Sequence, residues 1–260
     1  MGSPATTPAA RRFASQASSL SRIALATFCS YLLGYFLTAI GALLGCCAAL
    51  VGWQAFIRTG TVVWGHMIFL LAGRRLHFHG RENIRSGASY LVVSNHASLY
   101  DIPAVMAAFP GIALMGRDYL MRIPGFGRLL RILHYVPIDP TSARKARAAL
   151  ELAGARIRQG ISVGIFAEGT RTETGEVQAL KRGFVHVLRA GGCDLLPVSV
   201  SGTFALKPKG SLVMNPRERI DVCVGAPLPH ERLAALSDAE VMEVVRATLH
   251  QLHRSHDEQR

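Results

Sequence analysis

The stretch SNHASLYDIP, residues 94–103, sets His96 five positions before Asp101. Together the two can make a general base. A carboxylate that fixes one imidazole tautomer and stabilises its protonated form leaves the other ring nitrogen free to take a proton from a hydroxyl. The interval is wrong for neighbours on one helix, where i+3 and i+4 meet. It suits a turn. YLVVSN (90–95) reads as the end of a strand, and Pro103 belongs in the first turn of a following helix. Asp101 then falls near the N-cap, and residues 96–100 form the connection. On spacing alone a plainer reading stays open: Asp101, or Ser98 in an S-x-x-D capping box, caps the helix while His96 fills a loop.

A second stretch, IFAEGTRT (165–172), is an apolar run that ends in Glu168, Gly169, Thr170 and Arg171. Gly169 permits a tight turn, and exposed amides, a hydroxyl and a planar guanidinium suit an anion such as a phosphate. A turn with merely solvated charges accounts for the same residues. Other chemistries lack their parts. There is no G-x-S-x-G elbow and no P-loop, and GFGRLL (125–130) lacks the third glycine of a dinucleotide fingerprint. His66, His77 and His79 have no H-E-x-x-H pattern or carboxylate partner, so they read as interfacial structure and no metal is expected.

The elements that must position these residues follow from the apolar pattern. Strands are expected at 75–80, 90–95, 134–138, 162–168, 194–202 and 220–225, and helices at 141–160, 179–190 and 231–253. Ala146, Leu150, Ala153 and Ile157 line one face of the first of these helices. The alternation predicts an α/β domain over 74–260, a mixed sheet flanked by helices. Upstream, Ile23 to Ile57 carry no charge, a longer run than the roughly 20 apolar residues a spanning helix needs. Residues 22–73 are therefore expected to form apolar membrane-anchoring helices. A single span, a re-entrant hairpin, and one deep helix with a second in the interface all fit. Arginines on both flanks suit a hairpin with both ends in the cytoplasm, and Gly41 and Gly45 suggest close helix packing. Residues 1–21 read as a flexible basic N-terminus, which also carries the myristoylation-like MGSPAT, and 254–260 as a loose tail.

The net charge is +12, and no acidic residue precedes Glu82. Beside an apolar anchor this charge points to an anionic membrane surface, and no nucleic-acid signature accompanies it. The five cysteines lack C-x-x-C pairing and read as small apolar residues in a reducing compartment.

Taken in order, the blocks resemble the glycerolipid acyltransferase family, which includes the 1-acyl-sn-glycerol-3-phosphate acyltransferases. NHASLYD resembles its N-H-x-x-x-x-D block, FAEGTRT its F-P-E-G-T-R-S block and LPVSVSG (196–202) its final proline-containing strand block. GRDYLMRIPGFGRLL (116–130) stands where the family has its acceptor-contacting block, and LKRG (180–183) also matches. The resemblance covers about residues 75–225. It implies His96 as general base and Asp101 as its orienting partner. Glu168, Gly169, Thr170 and Arg171 would grip the acceptor's phosphate, with Arg117 and Lys181 as further substrate contacts and Pro197 shaping the site. It also implies an acyl-CoA or acyl-carrier-protein donor, a lysophospholipid acceptor, no cofactor, and a place at the cytoplasmic side of the inner membrane. Ala167 stands where proline is usual, and Arg117-Asp118 where a Lys-Glu-like pair is common. The second departure bears on the acceptor, because Arg and Lys are not equivalent at a phosphate. A different acceptor, such as a lyso-ornithine lipid, and a catalytically silent lipid-binding protein are the competing readings.

Overall fold

The computed structural model describes residues 8–215 and 217–257, with side chains within 21–254 except Pro216. Helix α1 (Pro8–Leu50) and helix α2 (Gln54–Leu71) fold back on one another through a turn at Gly52, where φ is 68°. The apolar hairpin has few polar groups, and some of them tie its two helices together. Ser30 Oγ donates to Leu71 O at 2.6 Å, and Trp64 Nε1 donates to Thr38 Oγ1 at 2.9 Å. Helix α1 starts at Pro8, inside the segment expected to be flexible. MGSPAT and residues 258–260 of the expected tail lie outside the described residues.

The Gly41–Gly45 step is only half in close contact, since a Cβ on Gly45 would lie 3.3 Å from Leu129 Cδ1. A Cβ on Gly41 would meet nothing within 4 Å. The tight approach is at Gly65 of α2, whose Cβ would lie 2.5 Å from Pro103 O and 2.9 Å from Ala107 Cβ. A glycine alone lets α2 reach the next helix, α3 (Asp101–Ala108). Among the described residues, one helical stretch, Ser21–Leu50, is long and apolar enough to cross a membrane, and only 11% of its most apolar window is buried.

Among the described residues seven strands follow: β1 (Leu76–His79), β2 (Leu91–Ser94), β3 (Ala113–Arg117), β4 (Val136–Ile138), β5 (Val163–Phe166), β6 (Leu195–Ser201) and β7 (Ile220–Val224). Their spatial order is β1-β7-β6-β2-β5-β3-β4, and every neighbouring pair is parallel except β6–β7. The sheet is mixed, as the sequence predicts, and all six expected strands form. Strand β3 was not expected. Its run ALMGR is short and contains Gly116, and only pairing with β4 and β5 makes it a strand.

Both faces of the sheet are covered, which is why β2 reads as an unbroken apolar run. Leu91 and Val93 point into one core, shared with α5 (Ala143–Arg158) and α6 (Gly183–Gly191), while Val92 joins a second core with α2 and α3. The short α4 (Phe126–Ile132) packs on α1, and α7 (Thr203–Leu206) continues β6. On α5, Ala153 and Ile157 are core residues, whereas Ala146 and Leu150 line a cavity. The helix expected at 231–253 is two, α8 (His230–Ala234) and α9 (Asp238–Asp257). Ser237 starts the second with a capping box: Glu240 N donates to Ser237 Oγ, and Ser237 N donates to Glu240 Oε2.

Strands β6, β2, β5 and β3 run parallel, so their carboxyl ends share one edge. The chain leaves that edge at Gly202, Asn95, Ala167 and Asp118. In open α/β sheets, the crevice beyond this edge is where ligands bind.

Candidate active site

Beyond the end of β2, Asn95 extends the ladder with its side chain. Its Nδ2 donates to Val200 O at 2.9 Å and its Oδ1 accepts from Val200 N at 2.8 Å, so the amide stands in for one more strand peptide. His96 then leaves the sheet and is gripped on both sides of its backbone by the 168–172 turn. His96 N donates to Glu168 Oε1 at 2.8 Å, and Thr172 N donates to His96 O at 2.8 Å. The two stretches singled out in the sequence therefore form one unit. Phe166 supplies a floor: its ring stacks on the imidazole at 4.2 Å, with 19° between the planes.

The turn from 96 to 101 closes on the Asp101 carboxylate, which is fully buried. Oδ2 accepts from Ala97 N at 2.6 Å, Ser98 N at 2.8 Å and His96 Nδ1 at 2.9 Å. Oδ1 accepts from Thr203 Oγ1 at 2.5 Å. The capping-box pair does bond, Ser98 N donating to the carboxylate, but the same oxygen also takes His96 Nδ1, so the capping-box bond and the histidine pair coexist. The helix N-cap is Tyr100, without a side-chain capping bond, and the carboxylate turns back onto the loop instead of onto the amides of α3. Ser98 Oγ accepts from Tyr100 N at 3.4 Å and donates to Lys207 O at 2.7 Å. Because a carboxylate accepts only, His96 carries its proton on Nδ1, and Nε2 presents a lone pair. His96 lines the cavity, and Nε2 is the nitrogen left for it.

That cavity measures about 1200 Å³. Its polar lining includes His96, Thr170, Arg171, Lys181 and Arg117, and much of the remaining wall is apolar, from α1, α2 and α4, with Leu44, Ile57, Trp64 and Leu129 among its residues. Gly169 adopts φ 71°, and the Lys181 side chain lies across it, so a Cβ there would meet Lys181 Nζ at 2.9 Å. The amides of Gly169 and Thr172 are engaged, to Phe166 O and His96 O. Among the described residues, those of Thr170 and Arg171 have no protein acceptor. Arg117, Arg171 and Lys181 also lack a carboxylate partner among the described residues. Unpaired cations beside free amides at one end of a cavity are a setting for an anion.

Two residues sit differently from the rest. Glu168 does not line the cavity: it is buried, with Oε1 on the His96 amide and Oε2 without a partner. Burial pushes its carboxyl up to about 7, against the pull of the His96 amide. It is placed to hold His96, not to hold an anion. Pro197 lies within β6, opposite Val93, with its carbonyl accepting from Gly225 N at 2.9 Å, and it does not line the cavity. Sequence reasoning missed Asn95, Phe166 and Thr203 as supports of His96 and Asp101. Nothing in their spacing links residue 203 to residue 101.

His79 has the carboxylate partner that the sequence did not reveal. Its Nε2 lies 2.9 Å from Asp221 Oδ1, across the β1–β7 pair, and Arg219 Nε approaches the same oxygen at 2.9 Å. Strands β1 and β7 lie at the opposite edge of the sheet from β3 and β4, and none of these three residues lines the cavity. Among the described residues, no group of three His, Cys, Asp or Glu side chains is placed to hold a metal ion.

Residues 75–201, which hold every element of this geometry up to the start of α7, match the family model described as Acyltransferase. Over this stretch the chain resembles an acyltransferase-family domain. It is 31% identical over 167 residues to a Cocos nucifera protein named 1-acyl-sn-glycerol-3-phosphate acyltransferase, covering 62% of this chain and 54% of that one. A Borreliella burgdorferi protein of the same name is 30% identical over 134 residues, covering 51% and 54%. The chain thus spans about half the length of these relatives. In fold, the chain with its helical hairpin is similar to the crystal structure of the 1-acyl-sn-glycerophosphate acyltransferase PlsC from Thermotoga maritima. The TM-score is 0.77 at 24% identity, over 88% of this chain and 94% of that one.

Proposed function

We propose that this chain is a membrane-bound acyltransferase that moves an acyl group from acyl-CoA or acyl-carrier protein to the hydroxyl of lysophosphatidate, forming phosphatidate. One observation carries the reading: His96 Nδ1 is fixed on a buried carboxylate at 2.9 Å while its other nitrogen is left for a largely apolar cavity bordered by unpaired cations. His96 Nε2 takes the proton of the acceptor hydroxyl as the oxygen attacks the thioester carbonyl. The new ester bond forms, the C–S bond breaks, and the imidazolium returns its proton to the departing thiolate. Asp101 stabilises the imidazolium between these steps. Arg171, Lys181 and the free amides at 170–171 hold the acceptor's phosphate, Arg117 adds charge at the rim, and the apolar wall takes an acyl chain. The chemistry needs no metal and no cofactor.

Membrane attachment is supported by the outward face of α1, where Leu25, Phe28, Leu32, Phe36 and Leu43 are all exposed. The arginines flanking the hairpin favour a domain on the cytoplasmic side of the inner membrane.

The test uses membranes carrying the protein or its His96→Ala variant, with labelled acyl-CoA or acyl-carrier protein and a panel of lysolipids. Labelled phosphatidate that disappears in the variant is the expected result. Product only from a phosphate-free lysolipid, such as lyso-ornithine lipid, would keep the base and replace the acceptor. No product from either donor with any acceptor would leave a lipid-binding protein in place of an enzyme.

A further inference from the structure

The loop after α7 is ordered by its own hydrogen bonds. Asn215 N donates to Leu206 O at 2.8 Å, Lys207 Nζ to Ser211 O at 2.8 Å and Ser211 Oγ to Val213 O at 2.7 Å. At its tip, Leu212 is 82% exposed and Val213 is also exposed, whereas Met214 is buried. Met214 N donates to Thr27 Oγ1 of α1 at 3.2 Å, and Tyr100 OH lies 2.7 Å from Met214 Sδ. Thr27 is flanked by Leu25 and Phe28, each 64% exposed.

A single exposed leucine calls for no explanation. Here two apolar side chains continue the outward apolar face of α1, and a hydrogen bond fixes them beside its N-terminal part. Lys207, Lys209 and Arg171 lie about the loop, Arg171 close enough to act on the Lys207 charge, and Glu173 pairs with Lys209 at 2.9 Å. Apolar tips beside net positive charge suit the headgroup boundary of an anionic bilayer.

We propose that the 207–215 loop is a second membrane-docking element, inserting Leu212 and Val213 into an anionic phospholipid bilayer beside α1. The occupant is lipid because the loop extends the face assigned to lipid above, and the inference rests on that membrane reading. The loop also touches the site: Thr203, just before it, holds Asp101, and its first carbonyl, that of Lys207, accepts from Ser98. Bilayer contact and the His96–Asp101 pair are thus joined by one short, hydrogen-bonded segment.

The experiment is fluorescence quenching of the full chain in vesicles of phosphatidylcholine and phosphatidylglycerol whose acyl chains are brominated. Wild-type emission, from Trp53 at the exposed hairpin tip and Trp64, reports the anchor. Leu212→Trp adds a reporter at the loop. The expected result is that the added emission shifts to the blue and is quenched as strongly as the wild-type signal, and less so when phosphatidylglycerol is left out. Added emission quenched by aqueous iodide but not by brominated chains, with wild-type emission still quenched, overturns the loop's role and leaves the anchor intact. If neither signal responds to brominated chains, the loop and the membrane reading fall together.

Discussion

Replacing Asp101 by Asn removes a charge while leaving the shape of the site. With its oxygen in the Oδ2 position, the asparagine still accepts from Ala97 N, Ser98 N and His96 Nδ1, and its amide faces Thr203, whose hydroxyl can turn to accept. The imidazolium loses its counter-charge. At 2.9 Å and an effective dielectric of about 20, that attraction is worth roughly 6 kcal/mol. The amide dipole and residual solvent recover about half, leaving a loss of about 3 kcal/mol in the transition state, or about a hundredfold in rate. Because the charge on His96 exists only after proton transfer, the loss belongs in kcat and not in KM. Initial rates against acceptor concentration, with thermal unfolding of the same preparations in detergent, separate the two. Thr203→Val provides a graded companion. It keeps the carboxylate charged but strips one donor from Oδ1, so it should lower stability by about 1–3 kcal/mol and kcat by less than the Asn variant does. A folded Asp101→Asn protein whose kcat stays within a few-fold of wild type would refute the assignment of His96 as the base.

Two other predictions concern supports of the site. Glu168 is a carboxyl raised from 4.5 to about 7 by burial, so the folded state holds its proton more tightly than the unfolded chain. Its contribution is therefore full below about pH 4.5 and falls away as pH rises through about 7, a loss of roughly 3 kcal/mol. Glu168→Gln keeps the acceptor for the His96 amide and removes the ionisation. Its melting temperature should drop less between pH 5 and pH 8 than that of wild type, and parallel profiles would contradict the burial argument. Gly65→Val forces a side chain into Pro103 O and Ala107 Cβ, pushing α2 off α3 and disturbing the helix that Asp101 begins. Differential scanning fluorimetry should register a loss of about 1–3 kcal/mol or more, with activity falling in parallel. An unchanged melting temperature would mean that α2 is free to move away.

The sequence by itself determined what recurs along the chain. The strand periods, the apolar run from Ile23 to Ile57 and the two polar blocks are local patterns, and local physics is enough to read them; the break at Ser237 falls inside one expected helix. The sequence left open whether His96 and Asp101 touch, because five residues of turn can close in many ways. The tertiary structure decides this by placing β2 beside β5, so that the 168–172 turn grips the His96 backbone, and β6 beside β2, so that Thr203 reaches Asp101. It also shifts roles. Glu168 looked like an anion ligand beside Arg171, yet it turns inward, because its strand ends against His96 and not over the cavity. Strand β3 and the His79–Asp221 pair were illegible for the same reason: each exists through a neighbour distant in sequence, and no spacing within a short window encodes that neighbour.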